Sequence, residues 1–397
     1  MAAGWEDGRS ERWLFTPEAL TQARDAGRDR ALQALRRAAA EAGARPPEEG
    51  TGGEGGEAPR LLSHEECAQL VLAHALQLVE LCGRCGAPSE VLWAGLIFYR
   101  RFFAVRSPME FDPQLMMLAC VHLACKIEEV HEITLDGLLE AGGFSDGSRL
   151  RVKVSGLELP LLEGIGFALL VEPKPSAALR MLAQELQHPL ALGGAQQQEV
   201  VALAECFVLD LGVRSDAILR WSPSALIAAA LGAALDAGLA LPPASEVPSA
   251  QLVELLAASL EGEGSQTAFR TMVSAVSFEL RRLAFVREEP LAAGAAVAAR
   301  RCHAAIEKLR DLSAKRQEAR HKERKLKRGE TKAAAASRRV PTPMRQALAE
   351  LNRRTAWALS RAAAPEAGVG GASGRESSPE DFFIRRRLDT MEDVDEW

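Results

Sequence analysis

The stretch from Asp112 to Glu128, DPQLMMLACVHLACKIE, constrains the fold more than any other part of the chain. Asp112 can accept hydrogen bonds at a helix start, and Pro113 suits the first helical position. Between Leu115 and Cys125 only His122 is polar. A helix that is apolar all round has to be buried on every side. The run falls short of the roughly 20 apolar residues that span a bilayer. It therefore predicts the central rod of a helical bundle, enclosed by other helices. Charge returns at its end with Lys126, Glu128 and Glu129, where such a rod must surface.

The rest of the chain can supply those other helices. Its 397 residues leave room for two domains and tails. Hydrophobic residues make up 47% and aromatics 5%, with a single Tyr. A mix this rich in Ala and Leu favours helix over strand. A formal net charge of −6 argues against a global basic field that would draw the chain onto nucleic acid. The seven cysteines are odd in number and not densely spaced, so they read as reduced thiols of an intracellular protein. The opening residues MAAGWEDGRSERW lack a signal-like apolar core, and no stretch reads as transmembrane.

In chain order, Met1–Ser10 reads as disordered. Thr16-Pro17-Glu18 starts a helix that runs to about Ala42, and the Gly-, Pro- and Glu-rich Gly43–Arg60 is a flexible loop. Ser63 and Glu66 form a capping box for a helix to Leu81. Ala87-Pro88 opens a second helix, the apolar rod is the third, and Ile133–Ala141 a short fourth. A fifth is expected over Leu150–Phe167, weakened by Gly156, Pro160, Gly164 and Gly166. Pro173–Gln187 and Gln196–Leu211 begin a new set. Ser222-Pro223 then repeats the cap-plus-proline opening and leads into a second all-apolar helix, Ser224–Leu239. Further helices are expected near Ser249–Leu260 and Gln266–Phe285. The pattern predicts an all-α chain with two helical bundles, each around its own rod. A long helix follows over Ala292–Lys327, basic at its end, and from Gly329 the chain reads as a disordered tail that ends acidic.

Motifs for catalysis are missing from this pattern: no P-loop, no GxGxxG after a strand, no HExxH, no Gly-x-Ser-x-Gly. Cys82-Gly83-Arg84-Cys85 lacks the second pair that a zinc ribbon requires, so no metal site is expected. His122 reads as a satisfied core histidine. Lys126 and Glu158 remain, a cation ending one helix and an anion on a later one. They are either ordinary helix-end electrostatics or a polar pair on a rigid platform that engages a partner's backbone groups. The basic run Lys315–Arg328 is either a solvated helical face or a nuclear-localisation or phosphate-binding element. Ser378-Pro379 is a candidate phosphosite.

Several of these residues together resemble the cyclin family. The match lies in Trp13 and Phe15 and in Tyr99-Arg100-Arg101-Phe102-Phe103. It continues in Met109-Glu110-Phe111-Asp112-Pro113 and in Leu123-Ala124-Cys125-Lys126-Ile127-Glu128-Glu129. It is completed by Leu157-Glu158-Leu159, Ser222-Pro223-Ser224 and Arg301-Cys302-His303. The resemblance implies two tandem five-helix cyclin-box repeats with additional N-terminal and C-terminal helices. The implied divisions are 1–60 for the N-terminal helix and loop, 61–170 and 171–290 for the repeats, 291–328 for the C-terminal helix and 329–397 for the tail. It further implies a non-catalytic activator of a cyclin-dependent kinase, bound through Lys126 and Glu158 with Ile127, Leu162, Trp13 and Phe15. The N-terminal Trp and the long last helix point to the type serving the CDK-activating kinase of general transcription factor IIH. That implies a nuclear protein with a ring-finger assembly factor as third subunit, no cofactor and no direct nucleic-acid contact. Two rivals are another transcription-type cyclin and a TFIIB-like DNA-binding scaffold of the same fold.

Overall fold

The structure is a computed structural model. It describes residues 13–42, 60–144, 147–185, 194–238, 248–283, 295–337, 346–347 and 349–354. Expectations for Met1–Ser10, for 43–59 of the loop, and for the acidic end with Ser378-Pro379 lie outside the described residues. The described residues are helices and connections with no strand, so the chain is all-α. Among them, no helix is long and apolar enough to cross a membrane. The chain divides into two compact units, Met1–Arg316 and Gln317–Trp397.

In the first unit, α1 spans Pro17–Ala42, and the Thr16 hydroxyl accepts the Ala19 N–H at its start. Helix α2 spans His64–Cys85; its capping box is formed by Ser63 and Glu66, and Gly86 ends it in the left-handed region. This is one turn longer than the sequence suggested. Helix α3 covers Ser89–Val105, and α4, the apolar rod, covers Pro113–Ile127 with the Asp112 side chain accepting the Gln114 N–H. The short α5, Leu135–Ala141, is capped by Thr134.

The expected fifth helix is two helices, α6 (Gly147–Gly156) and α7 (Glu158–Gly164). Pro160 explains the break. In an unbroken helix its ring would strike the carbonyl of Gly156 and a backbone bond would be lost. Restarting at Glu158 puts Pro160 in the first turn, where no N–H is needed. The chain continues with α8 (Pro175–Glu185), α9 (Gly194–Arg214), the single-turn α10 (Ala217–Arg220) and α11 (Pro223–Gly238). It ends with α12 (Pro248–Ala258), α13 (Glu263–Leu283) and α14 (Ala295–Ser337). Helix α14 runs past Gly329, where the sequence predicted disorder. One interior glycine costs about 1 kcal/mol, and the alanines 333–336 beyond it are the strongest helix formers.

Each rod is enclosed. Helix α4 packs on α2, α3, α5, α6 and α7, and α11 packs on α8, α9, α10, α12 and α13. Helix α3 is as deeply placed as α4, with Val91 to Ala104 buried apart from Leu92, because it also meets α1, α8, α9 and α10. The apolar core is therefore continuous from Leu78 and Leu118 through Val208 to Leu231. A separate apolar cluster joins α1 (Ala31, Leu35), α2 (Leu70) and the start of α14 (Ala298, Cys302, Ile306).

Packing is close where α7 crosses α3. A Cβ built on Gly164 would lie 2.5 Å from the ring of Phe102, which is fully buried. Gly164→Ala is therefore expected to destabilise the fold by about 1–3 kcal/mol, read as a lower urea midpoint.

Candidate functional site

The end of α4 and the start of α7 meet at the surface. Lys126 stands in the last turn of α4 because the rod must surface there. Glu158 opens α7 because Pro160 forces a new helix start. The Lys126 ammonium donates to both carboxylate oxygens of Glu158, at 2.8 and 2.7 Å. Both side chains remain well exposed, 44% and 38%. An ion pair this open contributes only about 0.2–1 kcal/mol to stability.

Exposed apolar residues are concentrated in this part of the chain. Ten large hydrophobic residues are exposed among the described ones, and five of them lie between 127 and 170: Ile127, Val152, Leu159, Phe167 and Leu170. Leu162 is half-buried and packs onto the core beneath. Gly166 and Phe167 both take left-handed backbone angles, φ 61° and 57°, as α7 closes with the Phe167 N–H on the Leu162 carbonyl at 2.9 Å. A left-handed Phe costs on the order of 1 kcal/mol, so its outward placement is imposed by its surroundings. On the other side Glu128 caps α4 and pairs with Lys174.

His122 lies one turn before Lys126. It is not the satisfied core histidine expected: its Nδ1 is buried with no partner, and the ring is half-exposed. Charged groups lie near it at the surfacing end of the rod, but among the described residues none hydrogen-bonds to that nitrogen. Burial first, and then the Lys126 charge, hold its pKa below the ordinary 6.5, while Glu158 opposes them. As pH falls through 6.5 the unfolded chain therefore takes up this proton before the folded one, and stability falls. Urea midpoints measured from about pH 7.5 to 5.5 should decline, and His122→Gln should make the decline shallower.

Trp13 and Phe15 are turned inward. Trp13 is 4% exposed, so in this state it offers a partner no surface. It meets Phe15 edge-on, with ring centres 6.2 Å apart, and the Phe15 N–H donates to the Leu219 carbonyl at 2.7 Å. The two residues fasten the N-terminal segment to the body.

The sequence reading missed a partly buried charge network. Arg100 on α3 donates to the Ser215 carbonyl at 2.6 Å and to Asp216 at 2.8 Å, and Arg24 on α1 grips both oxygens of Asp216 at 2.6 and 2.9 Å. Burial pushes the Asp216 carboxyl up, but the guanidiniums of Arg100, Arg24 and Arg220 outweigh it and hold it below the usual carboxylate value. A signal existed: two adjacent arginines inside the apolar IFYRRFFA require buried partners. The exposed Leu159, Phe167 and Leu170 were also missed, because in sequence they look like core residues. Cys82 and Cys85 lie in the last turn of α2, and burial pushes the Cys82 thiol up to about 12, so it stays protonated. Among the described residues no group of three or more His, Cys, Asp or Glu could hold a metal ion.

Comparison with known proteins points in one direction. Residues 70–169 match the family "Cyclin, N-terminal domain". The chain is 25% identical over 231 residues to Cyclin-H1-1 of Arabidopsis thaliana, covering 55% of this chain and 67% of that one. It is 27% identical over 181 residues to Cyclin-H of Xenopus laevis, covering 44% and 54%. The matched part thus spans only about half of the frog relative. Among solved structures it resembles a chain of the CAK complex from Chaetomium thermophilum bound to ATP-gamma-S, with a TM-score of 0.59 and 19% identity over 79% of this chain and 93% of that one. At that identity the likeness speaks for the fold.

Proposed function

We propose that the chain, whose residues 70–169 match the cyclin N-terminal domain and whose sequence is similar to Cyclin-H relatives, is the regulatory subunit of a cyclin-dependent kinase of the CDK-activating type. The observation that carries the proposal is the exposed Lys126–Glu158 pair, joined from two helices and flanked in sequence by the exposed Ile127 and Leu159. Exposed apolar side chains beside a charged pair mark an interaction surface, and such surfaces concentrate binding energy in few residues. Because the pair adds little to the fold, it is free to exchange its internal bonds for bonds to a partner's backbone groups.

A protein kinase becomes active when a Lys–Glu pair and an ordered activation loop position ATP. This chain would supply neither. It acts by binding the inward state of the kinase's regulatory helix more tightly than the outward one, so the active population grows by the difference in affinity. Helices α4 and α7 present the face, and the core behind them keeps it stiff, which lowers the entropy lost on docking.

The relatives' names support the CDK-activating type. On this reading the chain acts in the nucleus with general transcription factor IIH and a ring-finger assembly factor. The kinase it activates phosphorylates other cyclin-dependent kinases and the tail of RNA polymerase II. The test is reconstitution. Adding the full chain to the isolated kinase subunit of the CDK-activating kinase should raise phosphorylation of a polymerase-tail peptide by at least about tenfold. No stimulation of that kinase, with stimulation of a different transcription kinase, would overturn the assignment of partner.

A further inference from the structure

We infer that Trp13, in the segment ahead of α1, sets the position of the exposed loop at residues 167–170 through Arg101, and thereby tunes the face on which the kinase docks. The effect on docking rests on the function proposed above; the effect on the loop does not.

Arg101 lies on α3 and is 8% exposed. An arginine so enclosed ordinarily pairs with a carboxylate. Among the described residues none pairs with it. Its guanidinium donates to the Ala168 carbonyl at 3.1 Å and lies 5.7 Å from the centre of the Trp13 ring. Burial pulls its pKa down to about 10, so it is still charged at neutral pH. A buried cation here depends on one carbonyl and one aromatic face.

Trp13 is built for that role. A buried indole usually gives its N–H to an acceptor. The Nε1 of Trp13 is buried and finds none. The ring belongs to the main apolar core, meets Phe15 edge-on and lies against the guanidinium, a contact that strengthens when water is excluded. The Phe15 N–H on the Leu219 carbonyl pins the segment in place.

At the other end, Ala168 sits between Phe167 and Leu170, 60% and 64% exposed, with Phe167 held left-handed. Arg101 holds the carbonyl beside that strained residue. Without the indole, water reaches the guanidinium and the arginine no longer has to donate inward. The Ala168 carbonyl then loses its donor, and the loop that carries Phe167 and Leu170 is free to relax.

Hydrogen exchange on the full chain, without kinase, reads the first half. Trp13→Leu keeps apolar bulk without an aromatic face, and should speed exchange at amides 167–170 about tenfold while α4 stays as protected as in the wild type. Trp13→Phe should restore most of the protection. Kinase affinity of Trp13→Leu should fall about tenfold in parallel. Unchanged exchange in the loop, equal loss of protection in α4, or a relaxed loop with undiminished affinity would each overturn the inference. If Trp13→Leu fails to fold, Arg101→Lys, which keeps the charge but loses the planar face, is read in the same way. Failure of the docking reading itself would show separately, as kinase binding that ignores Lys126 and Glu158.

Discussion

Asp216→Ala is expected to lower stability by about 3–5 kcal/mol. The loss comes from what is left behind. Arg100 is 8% exposed, and without Asp216 its guanidinium keeps only the Ser215 carbonyl. Arg24 on α1 loses its bidentate partner as well, so the N-terminal helix loosens from the second bundle. Because the carboxylate itself is 30% exposed, the outcome should fall toward the lower end of that range. Asp216→Ala combined with Arg100→Met should recover part of the loss, since it removes the stranded charge along with its partner. The network also gives acid sensitivity of definite sign. The folded carboxyl lies below its ordinary 3.8, so its contribution is present above pH 3.8 and lost as pH falls through the lower folded value. The acid limb of an unfolding curve should therefore flatten in the double variant.

Lys126→Ala and Glu158→Ala should act the opposite way, sparing the fold and weakening the partnership. The pair is open to solvent, so either change should cost stability no more than about 1 kcal/mol. At a docking hot spot, each should weaken kinase binding by at least about 2 kcal/mol, roughly thirtyfold. The double variant should not be additive, because both groups meet the partner as one unit. Calorimetry with the isolated kinase subunit checks this, with thermal unfolding of the same samples as the control for folding.

How much of this could be read from residues alone follows from the physics of each element. The rods α4 and α11 were legible because an all-apolar helix leaves no choice of environment. Helix starts with Thr16, Ser63 and Asp112 were legible because capping is local. Lys126 and Glu158 were singled out together, yet their contact depends on where α7 begins, and that start follows from Pro160 dividing the expected fifth helix. The partners of Arg100 and Arg101 on α3 were harder to see. They lie 67 to 116 residues further on, and no local pattern carries such a pairing. His122 was misjudged because periodicity says that a residue is enclosed and not whether a partner waits for it. Trp13 was read as a surface for a partner, while packing turns it inward on Arg101. The exposed Phe167 and Leu170 follow from the left-handed close of α7, which depends on tertiary packing.

The Lys126–Glu158 pair is expected to serve recognition and not stability. Exchanging the two charges, Lys126→Glu with Glu158→Lys, separates these roles, because the internal ion pair can re-form while its polarity toward a partner is reversed. The measurement is the affinity of this double variant for the kinase subunit. An unchanged melting temperature with binding weakened about a hundredfold or more is expected; binding equal to that of the unaltered chain would mean that the pair does not engage the kinase.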